Sequence, residues 1–383
     1  MKRRACKCSF KARFGTSLIN DRTSCEVTTL KKTFIFFLIA VIFFAPIYFQ
    51  FFTPPQKVRI GIVSHADYCG EREVAWRIKI AAESLGWEAF LDEKGGRKLK
   101  KQKNLDWVIC LLAKNPYTPK DCPSYQTIFH PFHFLNSKGK LRTFYEKYSG
   151  YLLTINPSKK FAHNFPLKNK PLFSSLFYPT LQYVEYKEVP LNDLMTMVPV
   201  WSNRVEDEKF KKFYKSLSQS GFAKFYGIRV RANREIIDQG YMGTIPFDGT
   251  SVINILQKHG IVLILHSDKH NQAQIPSSRI FEAAAASTVI ISDENEFVKK
   301  HFGDAVFYVD TSFSAEELYR QVENHMLTIR QNPKAALAMA KKAHQIFVDH
   351  FLMSDQLLKI HAMNSEVKKQ QQQQLISLFG VLE

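Results

Sequence analysis

Short, nearly continuous apolar runs alternate along this chain with longer stretches whose apolar positions recur every third or fourth residue. The first such run, KVRIGIVSH at 57–65, reads as a β-strand that ends in a loop. Val74, Ile78, Ala81, Ala82 and Leu85 then lie on one stripe of a helix over 71–86, and Gly86 stands where a helix end favours left-handed backbone. Runs beginning at Trp87, Asp106, Tyr125 and Tyr151 predict further strands. The pattern weakens between Leu181 and Pro190 and resumes at Leu194. A helix over 207–218, a strand from Phe222, a helix over 252–259 stopped by Gly260, and a buried strand from Ile261 follow in turn. A helix over 279–287 and strands from Thr288 and Ala305 complete the second series. From Ser314 to Met363 the spacing is helical, with a break at Pro333. Strands alternating with helices predict parallel sheets covered on both faces, and two such series predict two doubly wound α/β domains.

The boundaries follow from these shifts. Residues 1–32 form a basic tail, 33–53 an anchor, 56–188 the first domain, 189–364 the second domain with its closing helices, and 365–383 a Gln-rich tail expected to fray. The anchor rests on an uncharged apolar stretch long enough to cross a bilayer as a helix. Lys31 and Lys32 before it place the N-terminus in the cytoplasm by the positive-inside rule. A single-pass membrane protein is therefore expected. The side on which the remainder lies is left open.

At 383 residues and 45% hydrophobic content the chain has room for two ordinary domains, and disorder is not the default. The net charge of +18 is concentrated partly in the basic tail. The other basic clusters, at 97–103, 159–170 and 209–215, read as solvated faces, and no nucleic-acid partner is expected. The six cysteines follow no repeated spacing, so neither a disulfide framework nor a metal site is predicted. P-loop, zinc and EF-hand spacings are absent.

In doubly wound sheets ligands bind beyond the carboxyl ends of the strands. The richest loop there runs from His266 to Arg279. Pro276, Ser277 and Ser278 are good capping sequence, so free N–H groups and the positive end of a helix dipole are available to an anion such as a diphosphate. Arg279 sits in the first turn, where a guanidinium is unfavourable unless an anion offsets it. An ion pair with Glu282, three residues on, is the alternative. The small residues Ala283, Ala284, Ala285 and Ala286 let this helix approach a sheet closely, leaving Glu282 at its edge to accept hydrogen bonds from two ribose hydroxyls.

PSSRIFEAAAASTVIISDENEFVKKHFGDAVFYVD, at 276–310, resembles the donor-binding segment of GT-B glycosyltransferases, in particular the spore-maturation-type group, with an R-x-x-E-A-x-A-x-G core. Phe225, Tyr226 and Gly227, the stretch YMGTIPFDG at 241–249, and VLILHS from Val262 extend the likeness to about 198–350. The resemblance implies two Rossmann-like domains, a nucleotide-sugar donor, no separate cofactor and no metal. By position it implies that Glu282 holds the donor ribose. Arg279 and the backbone of Ser277 and Ser278 face the diphosphate, Arg204 approaches the same phosphates, and Tyr226 and Gly227 line the nucleobase. His266, at the mouth of the loop, joins this donor-binding set. The acceptor is a glycan, a lipid or a protein. For a general base on the acceptor side the candidates are His65 and Asp67, ahead of Glu71, His130 and His133. Two positions depart from the pattern: Gln274 stands where retaining members often carry a second glutamate, and Ser287 where glycine is usual. The competing class is a membrane-tethered two-lobe solute-binding protein, whose opening strand VRIGIVSH resembles.

Overall fold

A computed structural model describes residues 57–65, 69–111, 122–129, 148–154, 174–198, 206–228 and 234–379. The expected basic tail and the anchor at 33–53 lie outside the described residues. Among the described residues no helix is long and apolar enough to cross a membrane.

The first sheet contains β1 (Arg59–Val63), β2 (Glu88–Asp92), β3 (Trp107–Cys110), β4 (Ser124–Ile128), β5 (Gly150–Leu153) and β6 (Ser174–Leu176). Their order is β2-β1-β3-β4-β5-β6 and every pairing is parallel. The central strands are buried on both faces; β3 is apolar throughout, whereas β4 buries Ser124, Gln126 and Thr127 along with its apolar residues. Between β1 and β2 runs α1 (Cys69–Ser84), whose Val74, Ile78 and Ala81 pack on one face of the sheet. Gly86, at φ 77, lets the chain turn back after it.

The second sheet contains β7 (Asp193–Met197), β8 (Ala223–Tyr226), β9 (Tyr241–Gly243), β10 (Gly260–Ile264), β11 (Val289–Asp293) and β12 (Phe307–Val309), all parallel. Its order, β12-β11-β10-β7-β8-β9, is the dinucleotide-fold order, and it changes direction between β7 and β10. The corresponding switch in the first sheet falls between β1 and β3. On one face of the second sheet lie α3 (Ser251–His259), α5 (Ser278–Ala285), α6 (Glu296–Phe302) and α8 (Pro333–His350). The other face is covered by α2 (Glu208–Gln219) and α7 (Ala315–Gln331). A short α4 (Asp268–Ala273) interrupts the loop after β10. Parallel α/β sheets are present in both halves, and the second is covered by helices on both faces.

The helical stretch after Ser314 breaks twice, at Asn332 and again at Phe351 and Leu352. After the second break α9 (Met353–Phe379) leaves the second sheet and covers the first, where Met353, Leu357, Ile360 and Val367 join Trp107 and Tyr125 in one core. Its polar contacts are specific: Asn364 Oδ1 accepts the Tyr125 hydroxyl at 2.9 Å, and Gln356 Oε1 accepts the Tyr178 N–H at 2.6 Å. The Gln-rich segment expected to fray is part of this helix. Glutamine is a good helix former, so the segment extends a helix already anchored by its first four turns.

Gly260 caps α3 at φ 82 and starts β10. A Cβ there would stand 1.6 Å from the Pro190 carbonyl oxygen, so the linker between the sheets closes directly on this residue. Gly260→Ala is expected to cost about 2–3 kcal/mol in denaturant unfolding, from left-handed strain plus overlap. Gly86→Ala, at a similar φ but in open space, should cost only the strain term, about 1 kcal/mol.

Candidate functional site

The loops at the two switch points carry most of the expected residues. In the second sheet β10 leads through α4 into α5, whose N-cap is Ser277 at φ −78, ψ 149. The Ser277 hydroxyl accepts the Arg279 N–H at 3.4 Å, and its carbonyl accepts the Ile280 N–H at 3.2 Å. Ala283 to Ala286 are fully buried, so the helix seats its small residues against the sheet as their size predicts. At its end Thr288 N–H reaches the Ala283 carbonyl and Ser287 N–H the Ala284 carbonyl, each at 3.1 Å. This closing pattern puts Ser287 at φ 60, which explains why glycine suits that position. Here the serine hydroxyl accepts the Lys187 N–H at 3.3 Å, a bond glycine cannot make.

Arg279 and Glu282 do not pair with each other. Glu282 is 6% exposed, and its Oε1 accepts Nη2 of Arg77 at 2.7 Å. The same Nη2 donates to Oε1 of Glu73, one helical turn earlier on α1, at 2.9 Å. Glu73 Oε2 in turn accepts the Gly249 N–H at 3.1 Å. Gly249, at φ 82, brings the loop after β9 so close to α1 that a Cβ would lie 3.0–3.3 Å from Ile80, Trp76 and Arg77. Burial pushes the Glu73 carboxyl above its usual range, Arg77 pulls it down, and Glu282 pushes it further up. Two carboxylates thus share one fully buried guanidinium across the two sheets.

Arg279 is left half-buried with no ion-pair or hydrogen-bond partner for its guanidinium among the described residues. Burial draws its pKa below the ordinary value, while the charge of Glu282 and the Tyr214 hydroxyl act the other way. An anion placed at this helix end would meet an unopposed cation and the positive end of the dipole together.

His266 is buried beneath this loop. Its Nδ1 lies 2.6 Å from Asp293 Oδ1, its N–H donates to both carboxylate oxygens at 3.1 Å, and Asn271 Nδ2 donates to Oδ2 at 2.9 Å. Asn295 continues the network, donating to Asn271 Oδ1 at 2.8 Å and to the Ile275 carbonyl at 3.2 Å while capping α6. The imidazole therefore orients the loop that carries Ser277 and Arg279. Burial would raise Asp293, but its bonds from His266 and Asn271 outweigh that and hold the carboxyl below its usual range. A depressed folded-state pKa adds stability above the unfolded value, about 3.9, that is lost as pH falls through the folded value. Wild type should therefore lose stability below about pH 4 through this group, and Asp293→Asn should be weaker at pH 7 with a flatter acid limb in thermal unfolding.

Tyr226 is 6% exposed, and its hydroxyl lies 2.9 Å from His259 Nε2, so its side chain is committed to the core beneath α3. Gly227, at φ 126, ends β8, with its carbonyl bonded by the Tyr241 hydroxyl at 3.0 Å. His65 follows β1 and pairs in an isolated bridge with Lys94. Glu71 opens α1, and burial raises its pKa. Asp67, His130, His133 and Arg204 lie outside the described residues. Ser277, Ser278, Arg279 and Glu282 are gathered on one helix end, with His266 under it; His65 belongs to the other sheet.

Arg77, Glu73, Gly249 and Asp293 escaped the sequence reading. One signal for Arg77 was available. It falls on the apolar stripe between Val74 and Ala81, with Glu73 one turn before it. A charge on a buried stripe needs a partner, though the sequence does not say which.

Residues 224–362 match the family described as glycosyl transferase-like. Among the solved structures, a glycosyltransferase from Rickettsia africae superposes with a TM-score of 0.51 at 12% identity, over 82% of this chain and 99% of that one. Sucrose-phosphate synthase from Thermosynechococcus elongatus gives 0.49 at 9% identity, over 84% and 100%. HepE from Anabaena in complex with UDP gives 0.48 at 12%, over 82% and 100%. No curated protein matches the sequence. The chain thus has two Rossmann-like parallel-sheet domains arranged as in the first of these structures, the GT-B architecture. Its 224–362 segment is similar to the glycosyl transferase-like family, which agrees with the enzyme class expected above, a glycosyltransferase.

Proposed function

We infer that this chain transfers a glycosyl unit from a nucleotide sugar to a glycan, lipid or protein acceptor, without a metal ion. The observation that carries the reading is the state of α5, where Arg279, its guanidinium without a hydrogen-bond or ion-pair partner among the described residues, stands at a capped helix start one turn before the carboxylate of Glu282. A diphosphate fits the cation and the first-turn amides of Ser277 and Ser278, and a ribose fits Glu282. The matched glycosyl transferase-like segment spans all four residues, and solved structures of similar fold include one with UDP and one with UDP-glucose. Because Tyr226 is turned into the core, the nucleobase is read by the backbone around Gly227 rather than by an aromatic face. Arg204, which follows β7 in the sequence, is the further cation proposed for the same phosphates. On the acceptor side His65 is the preferred base, and Asp67 is the second candidate. The spore-maturation-type group is the relative this reading favours, and the uncharged stretch at 33–53 tethers the enzyme to a membrane.

The test is thermal unfolding of the full chain against UDP-, GDP-, ADP- and CDP-sugars and their free diphosphates. One nucleotide family should stabilise the fold by about 2.7 kcal/mol at a hundredfold excess over Kd. Stabilisation by free sugars or amino acids, with no response to any nucleotide, would replace this reading with the solute-binding one.

A further inference from the structure

We propose that Arg77, from the first domain, is a positioning residue for the donor site of the second, holding the Glu282 carboxylate in the orientation that a ribose diol requires. This rests on the reading of Glu282 as the group that holds the donor ribose. A carboxylate that accepts two vicinal hydroxyls has to be fixed, yet Glu282 hangs from a helix by a flexible side chain. Arg77 supplies the hold. Its Nη2 takes Oε1, while Oε2 receives no hydrogen bond from any described residue. The guanidinium is itself held from behind by Glu73, which is locked to the Gly249 amide.

The economy of the arrangement points the same way. Arg77 is 0% exposed, and its Nε and Nη1 have no hydrogen-bond partner among the described residues. A fully desolvated guanidinium that uses one nitrogen is a poor stabilising device, since apolar residues of similar volume usually serve a core as well or better. What Arg77 does and an apolar residue cannot do is hold a charged oxygen. The contact joins the sheets, so a ribose would find its acceptor group aimed only when α1 and α5 are in register.

The experiment titrates the full chain with UDP, GDP, ADP and CDP, and carries the tightest forward against its 2′,3′-dideoxy form. Wild type should prefer the ribose form by about tenfold or more, and Glu282→Gln should abolish the preference. Arg77→Lys keeps the charge but loses the fork geometry. The double variant Arg77→Met with Glu73→Leu removes the buried charges together, so that a folded chain, verified by circular dichroism, presents Glu282 alone. Both should bind the two forms within about twofold of each other. If wild type binds no diphosphate, or binds both forms equally, the reading of Glu282 fails and this inference with it. If Glu282→Gln loses the preference while the folded Arg77 variants keep it, Glu282 stands and the role of Arg77 is overturned. Tighter binding of the ribose form by the Arg77 variants would also overturn it, by showing that Arg77 competes with the ribose.

Discussion

Arg77→Ala is expected to lower the stability of the folded chain by about 3–5 kcal/mol, measured by denaturant unfolding near neutral pH. Two effects add. Truncation empties the space of a fully buried side chain, and it leaves Glu73 and Glu282 on facing helices with no cation between them. Glu73 would then keep only the Gly249 amide, and Glu282 would keep no partner among the described residues. The loss should shrink as the pH is lowered. Burial and the neighbouring carboxylate already raise Glu73 in the wild type, and without Arg77 only the Gly249 amide opposes them. A folded-state pKa above the unfolded one means that the folded chain takes up the proton first, so stability is recovered on moving from neutral toward mildly acidic pH. Arg77→Met with Glu73→Leu should recover most of the loss at neutral pH, because it removes one of the two stranded carboxylates and refills the space. A loss that is equally large in the double variant would show that packing, not charge, holds α1 against α5.

Which parts of this molecule were legible in the sequence follows from what each part depends on. Strands such as Trp107–Cys110 and Gly260–Ile264 announce themselves because they are buried on both faces and carry no polar side chain. The edge strands Ser174–Leu176 and Tyr241–Gly243 are three residues long, too short to show a period, and they were passed over. Gly86 and Gly260 were readable as helix ends because left-handed backbone is a local requirement. The destination of α9 was not, since an apolar stripe says that a helix is covered but not by which sheet. The same distinction governs the site. Ser277, Arg279 and Glu282 lie close together in sequence, so capping and dipole arguments reach them. The Arg77–Glu282 bond joins residues 205 positions apart, and no local rule reports it.

Arg279→Ala should separate the two readings of this helix end by moving binding and stability in opposite directions. A guanidinium in the first turn of α5 opposes the helix dipole, at a cost of about 0.3–1 kcal/mol, and here it is half-buried without a counter-ion among the described residues. Burial already draws its pKa down, so the fold holds this cation at a cost. Its removal should leave the unfolding midpoint unchanged or raise it slightly. Diphosphate binding should nevertheless weaken about 10- to 100-fold, the range of one or two charge-assisted hydrogen bonds. Higher salt should narrow the gap between wild type and variant, because a partly exposed cation is screened where a buried one is not. Were Arg279 a structural residue instead, the signs would reverse, with stability falling and diphosphate affinity staying put. A cation at the N-terminal end of a helix, at the switch edge of a dinucleotide-type sheet and near a carboxylate bonded by the other domain, is what the proposed diphosphate site requires, and the two signs decide whether it is one.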